Sequence, residues 1–365
     1  MKNRTEHSRS NAVAAIANFI ILLPTQFVLR YFIAKNFGSS YMGLSGLFSS
    51  ILSFLNLADL GIGVSISYAL YQPLSDKNIN LISSLMRLYK KIYVSIAFLI
   101  FFLGICLLPF LTYFTNGKYV GVGNIYIIFI LMLASSASTY LFAYNQSLLV
   151  ADQRNDVVLW TSAIANSIIL IVEVVIIHIQ HSIYGYLSAT ILLSLLYNFL
   201  LSIFVNKRYE FTSNYDPISP KIKLELIHNT IGNSLSRISG VVVTGSDNIL
   251  ISMFVGLSAV GQYANYSIVI SVLQRFLSQL FNSIQGSIGN FGVNRNGEQG
   301  ERLFFELQFI NYWIVSIIST GILFCINPLI LTRIIHTRFN IGIPHNFGPI
   351  LVLLWCSQTK MYCFC

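Results

Sequence analysis

Apolar runs long enough to cross a lipid bilayer recur along most of this chain, from near Asn11 to near Ile326. A membrane-spanning helix needs about 20 mostly apolar residues. Backbone amides in lipid must bond within their own segment, so runs such as Ile92 to Phe114 can only be helices. The pattern predicts nine crossings, at about 12–35, 42–70, 92–114, 123–149, 157–180, 183–205, 227–254, 259–288 and 304–326. Composition agrees: only 10% of the 365 residues are charged, against about 25% in soluble domains. A soluble globule is excluded, and the expected fold class is an all-α, polytopic, integral membrane helical bundle. The first run exceeds the core of about 7 to 15 residues of a signal peptide and lacks a small-residue cleavage site, so it is expected to stay as the first crossing.

Short loops rich in Lys and Arg stay in the cytoplasm. With a cytoplasmic N-terminus, the inner segments hold fourteen Lys and Arg, among them Arg87, Lys90, Lys91, Arg154, Lys207 and Arg208, whereas the outer ones hold Lys35 and Lys118. The expected location is therefore the cytoplasmic membrane. The formal charge of +9 is spread over these short loops, so it reads as topology and not as a nucleic-acid surface. The cysteines, Cys106, Cys325, Cys356, Cys363 and Cys365, form neither a ligand spacing nor a disulfide framework.

An internal repeat appears at an offset of 218 residues. Gly38, Ser40, Gly43, Ser49 and Ser53 recur as Gly256, Ser258, Gly261, Ser267 and Ser271. Both copies open a pair of crossings that leave and re-enter the same side, which predicts two parallel six-helix units related by a pseudo-twofold along the membrane normal. The second unit is incomplete in this reading. The expected organisation is residues 1–210 for the first bundle, 211–332 for three helices of the second, and 333–365 for an atypical tail. Small residues at these positions also let helices approach closely, which would be their role under any function.

Charges inside the spans are the chemically informative residues: Arg30, Asp59, Glu173, Arg237, Asp247 and Arg275. Each costs about 2.5 to 3.5 kcal/mol at a helix centre, so a cavity or a partner is expected. Arg30 is close enough to a boundary to snorkel. Arg237 and Asp247 lie about three turns apart on one helix, and Arg275 falls in the next. Asp59 sits in Leu57-Ala58-Asp59-Leu60-Gly61-Ile62-Gly63, a stretch expected to loosen the second crossing, and an ion pair with an Arg is its structural alternative. Uncharged polar residues accompany them: Asn18, Gln26, Asn56, Asn145, Gln146, Asn166, Ser236, Gln274, Gln279, Asn282 and Gln285. Gln274, Ser278, Asn282 and Gln285 share one helical face beside Arg275. Guanidinium forks suit phosphate and amides suit sugar hydroxyls, although such a stripe could equally join helices.

Catalysis would need a nucleophile, a base and an electrophile within reach, and the short outer loops offer neither paired carboxylates nor a serine-histidine arrangement. His178-x-x-His181 lacks further ligands, Gly61-x-Gly63 lacks a dinucleotide-binding context, and there is no phosphate-binding loop. No metal, cofactor or enzymatic activity is expected.

Three segments carry a family resemblance: Phe37-Gly38-x3-Met42-Gly43-Leu44, the Asp59 stretch above, and Asp247-Asn248-Ile249-Leu250-Ile251 followed by Val260-Gly261-Gln262-Tyr263-Ala264-Asn265-Tyr266. The chain resembles bacterial Wzx-like polysaccharide flippases of the multidrug/oligosaccharidyl-lipid/polysaccharide superfamily over about residues 8–328. The resemblance implies a MATE-like fold and translocation of undecaprenyl-diphosphate-linked oligosaccharide repeat units, for O-antigen, capsule or exopolysaccharide synthesis, by alternating access. It also implies membrane lipid, polysaccharide polymerase and export proteins as partners, and no nucleic acid. Cationic cavity residues hold the diphosphate in such proteins, a role that would fall on Arg237, Arg275 and Arg30, with Gln274, Asn282 and Gln285 beside them. Asp59, Asp247 and Glu173 would serve as coupling or ion-pair groups. A drug or ion antiporter of the same superfamily is the alternative, and a membrane polysaccharide polymerase a more distant one. After Asn327-Pro328-Leu329-Ile330 the likeness stops, and the expectation is a truncation, with a frameshift near Thr332.

Overall fold

The computed structural model describes residues 4–59, 62–115, 123–209, 220–264 and 266–274, with a few further positions at 211, 218 and between 305 and 324. They are helical, with no strand among them, and fall into two compact units, 1–261 and 262–365.

In the first unit, α1 (Arg4–Leu55) is followed by a 3₁₀ turn over Asn56–Asp59, α2 (Ile62–Ser75), α3 (Ile79–Leu107) and the short α4 (Leu111–Phe114). Then come α5 (Ile125–Tyr140), α6 (Ala143–Ala151), α7 (Asn155–Gln180), α8 (Ile183–Arg208) and α9 (Pro220–Phe254). The segments Val13–Asp59, Ile79–Phe114, Ile125–Ala151, Asn155–Gln180 and Ile183–Arg208 are long and apolar enough to cross a membrane. The protein is a multi-pass membrane bundle.

The first two expected crossings are joined without a loop. Gly38, at φ 76° and ψ −179°, is the single non-helical residue within α1. Before it, α1 runs alongside α7: Asn18 donates to the Leu159 carbonyl at 2.6 Å, and Asn36 meets the His181 ring at 2.9 Å. After it the chain runs back down α5, with Phe48 edge-on to Phe129 and Ser136 donating to the Asn56 carboxamide at 3.0 Å. The second crossing does loosen beside Asp59, where the α-helix gives way to the Asn56–Asp59 turn. A second interruption, at Leu141 and Phe142, divides the fourth crossing into α5 and α6.

Two apolar clusters fill the unit. One gathers Tyr41, Leu44, Leu47, Phe48, Ile100 and Phe129; the other gathers Ile66, Leu70, Leu85, Tyr89, Leu148 and Val205. Outward-facing residues are equally apolar: Phe98 and Ile179 are 70% exposed and Leu192 is 67%. A chain that is apolar inside and out is suited to lipid.

The 218-residue repeat has a physical counterpart. Gly256, equivalent to Gly38, also has a positive φ, 123°. Gly43 and Gly261, the next equivalent pair, meet. A Cβ on Gly43 would lie 1.8 Å from the Leu257 carbonyl oxygen, and one on Gly261 would lie 2.5 Å from the Ser39 carbonyl oxygen. Since 39 and 257 are themselves equivalent, the contact is reciprocal, which marks a local twofold between the two segments.

Beyond Gly256 the chain is helical over 257–264 and 266–274, and Tyr312–Gly321 is a shorter apolar helix. The remainder of the eighth and ninth expected crossings and the whole of 333–365 lie outside the described residues.

Candidate functional site

Between the two apolar clusters lies a layer of polar side chains, at the level of the two helix interruptions. Asp59, only 8% exposed, closes the Asn56–Asp59 turn. Tyr93 stacks with Tyr140 at 6.4 Å, and its hydroxyl is the nearest atom to the space where a Gly63 side chain would stand, 2.9 Å away. Ser67 donates to the Ser147 carbonyl at 3.3 Å, and the Gln146 carboxamide donates to Asn198 at 3.4 Å. Asn145 is fully buried, and neither atom of its amide has a partner among the described residues. A buried amide without bonds is costly, and polar groups retained at membrane depth at such cost are functional candidates.

The interruptions create this layer. Where a helix breaks, carbonyls lose their i+4 partners, and irregular backbone at membrane depth survives only within protein or beside water. At the α5–α6 break, Leu141 donates to Ser138 at 3.3 Å and Asn145 to Phe142 at 3.0 Å, the tight turns of a chain changing direction.

A separate carboxylate occupies the α7–α8 hairpin. His181 in the left-handed region ends α7, and Ser182 caps α8 by accepting from Gly185 at 3.1 Å. This register sets Glu173 beside Thr190, each eight residues from the turn. The Thr190 hydroxyl bonds Glu173, which is 5% exposed, and the Tyr186 carbonyl at 2.9 Å. The hydroxyls of Tyr41 and Tyr186 bond one another, and Phe37 stacks on Tyr186 at 5.9 Å, so the carboxylate lies behind an aromatic wall.

Helix α9 lies along the other helices of the unit. Thr230 donates to Ser65 at 3.1 Å, Asn248 to Ser50 at 2.8 Å and Ser252 to the Phe114 carbonyl at 2.7 Å. Asp247 is half-buried on it, and Arg237 lies in its backbone between Thr230 and Gly245. Arg30 is half-buried in α1, two turns before Gly38.

The sequence-derived candidates thus separate. Asp59 belongs to the polar layer and Glu173 to the hairpin. Gln274 is the last described residue of the helical stretch 266–274, while Arg275, Asn282 and Gln285 lie outside the described residues, as does the Arg237 side chain. Some polar residues join elements, Asn18 bonding Ser162 at 3.0 Å and Asn56 bonding Ser136, whereas Asn166 bonds its own helix at 2.7 Å. Sequence reading overlooked Thr190, Tyr93, Tyr140 and Asn198. Thr190 was accessible in principle, because a two-residue turn at His181 fixes its opposition to Glu173.

No protein-family model and no curated protein sequence matches this chain. Its fold does match solved structures. One is the inward-facing conformation of a multidrug resistance MATE family transporter of the MOP superfamily, with TM-score 0.67 and 12% identity over 96% of this chain and 79% of that one. Another is the MATE multidrug transporter DinF-BH, with TM-score 0.64 and 14% identity over 98% and 83%. A third is a MOP superfamily transporter from Pyrococcus furiosus, with TM-score 0.57 and 12% identity over 97% and 77%. The fold of this chain is that of the MATE transporters.

Proposed function

We propose that this chain moves an anionic, hydroxyl-rich amphiphile, an undecaprenyl-diphosphate-linked oligosaccharide, from the inner to the outer leaflet of the cytoplasmic membrane, by alternating access and with its N-terminus inside. The observation that carries the reading is the polar layer between two apolar clusters, with the unbonded amide of Asn145 within it. Asp59 and the amides and phenols around it suit a sugar head, whose hydroxyls both donate and accept. Arg237, Arg275 and Arg30 supply the diphosphate counter-charge, assisted by Gln274, Asn282 and Gln285, while the lipid tail stays in the bilayer. The sequence motifs around Gly38, Asp59 and Asp247 support the same reading.

A second reading, antiport of a drug against protons or sodium, draws support from Glu173, a buried carboxylate with a hydroxyl ligand. In that case Glu173, Asp59 and Asp247 carry the coupling ion. Measuring surface polysaccharide and efflux of cationic dyes in the same cells separates the two. Arg237→Ala and Arg275→Ala should abolish polysaccharide export at unchanged protein level and leave dye efflux unaffected. Normal export in both variants rejects the flippase, and dye efflux lost on Glu173→Gln establishes the antiporter.

A further inference from the structure

On the outer face of the first unit, α7 and α8 flank a groove of about 360 Å³. Its walls are apolar: Val157, Ile164 and Ile168 on α7, and Leu196, Leu200 and Phe204 on α8. These are lipid-facing residues, Ile164 being 59% and Leu200 56% exposed. The groove extends from Val157 to Ile169 along one helix and from Leu193 to Phe204 along the other. At 1.5 Å per residue this is about 17 Å, close to half of a hydrocarbon core of about 30 Å. It therefore spans one leaflet.

One end is cationic. Arg154 precedes Val157 by three residues, and Lys207 and Arg208 follow Phe204 by three and four, so each shares a helical face with a wall residue one turn away. Lys207 and Arg208 are exposed, and both Arg154 and Arg208 lie within electrostatic range of the Tyr209 phenol. Asp152 accepts from that phenol at 2.5 Å and Asp156 accepts from Ser10 at 2.9 Å, so both carboxylates at this end already have hydroxyl partners.

We infer that this groove is a binding site for one anionic phospholipid of the leaflet bordering Lys207 and Arg208, with an acyl chain between α7 and α8 and the phosphate against the cations. The length matches an acyl chain of one leaflet, whereas an undecaprenyl chain would overrun the groove. The site is independent of the transported substrate, and neither Glu173 nor Asn198 lines it.

The test uses the full chain in lipid vesicles. With Trp313→Phe and Trp355→Phe, the single remaining tryptophan is Trp160, one turn from both Val157 and Ile164. Its fluorescence is titrated with phosphatidylglycerol or phosphatidylcholine brominated in the acyl chain. Half-quenching should need about fivefold less of the anionic lipid. The preference should disappear in Lys207→Gln/Arg208→Gln and, in the unaltered chain, at high salt. A reporter at Ile179→Trp, in a background with Trp160→Phe, should show none, since it lies about 28 Å up the same helix. Equal quenching of Trp160 by both lipids, or the same preference at position 179, would overturn the site. Displacement by polyprenyl phosphate at a lower mole fraction than by unbrominated phosphatidylglycerol would also overturn it, in favour of a polyprenyl occupant.

Discussion

Alanine at Gly43 tests the crossing of the two repeats directly. The new methyl carbon would lie 1.8 Å from the Leu257 carbonyl oxygen and 2.7 Å from its carbon, where real contacts do not fall below 3.0 Å. The two segments must separate by about 1.2 Å, and no side chain can rotate away, because the obstacle is backbone fixed just after the positive-φ Gly256. Overpacking costs about 1 to 3 kcal/mol, and a backbone obstacle belongs at the top of that range, about 3 kcal/mol. The reciprocal Gly261→Ala meets the Ser39 oxygen at 2.5 Å and needs a smaller retreat, for about 1 kcal/mol. Gly240, inside α9, has nothing within 4 Å of its added carbon, so Gly240→Ala should gain about 0.5 to 1 kcal/mol from helix propensity. One separation relieves both overlaps, so Gly43→Ala/Gly261→Ala should cost less than the sum of its parts. Thermal unfolding of the detergent-purified protein gives the order: the Gly43 variant melts lowest, the Gly261 variant in between, the Gly240 variant at or above the parent. A Gly43→Ala protein that melts with the parent would refute the reciprocal crossing.

Asn145→Leu should stabilise the unit by about 1 kcal/mol, since it removes a buried amide without partners, and should abolish transport; a destabilised but active variant contradicts the role given to the polar layer. Thr190→Val leaves the Glu173 carboxylate without its hydroxyl donor and should cost about 1 to 3 kcal/mol in the same unfolding assay, whereas Glu173→Gln keeps a partner for Thr190 and should melt near the parent. Burial, then the hydrogen bond and charge of Asp152, push the Tyr209 phenol above its ordinary value of 10. The neutral phenol is thus favoured by folding, so its contribution is complete below about pH 10 and is lost as pH climbs toward the higher value in the fold. Tyr209→Phe should therefore lower stability equally at pH 7 and pH 9, and the difference should shrink only in stronger alkali.

The helical class and the five membrane-length apolar segments were legible because lipid imposes length and satisfied backbone on every span, and both leave marks in composition. The repeat was legible for a narrower reason: Gly38 and Gly256 must adopt positive φ, and Gly43 and Gly261 must admit a carbonyl, so four glycines are fixed by geometry. The loosening beside Asp59 could be read from its glycines. The break at Leu141 could not, since Ser138, Leu141 and Phe142 contain neither Gly nor Pro and the tertiary setting decides it. Which polar residues line the interior was also hidden. Asn18 and Asn145 look alike in an apolar run, yet one is spent between α1 and α7 and the side-chain amide of the other has no partner among the described residues. Periodicity shows which face a residue takes, whereas its bonding depends on what the neighbouring helix presents.

The one-residue reversal at Gly38, the two-residue turn at His181 and Ser182, and the glycine bend at 256 leave almost no chain outside the helices at those corners. At those three corners a protease or antibody would find no flap of polypeptide to grasp. An epitope tag inserted at any of the three would have to unwind a helix to be seen, so tags belong elsewhere.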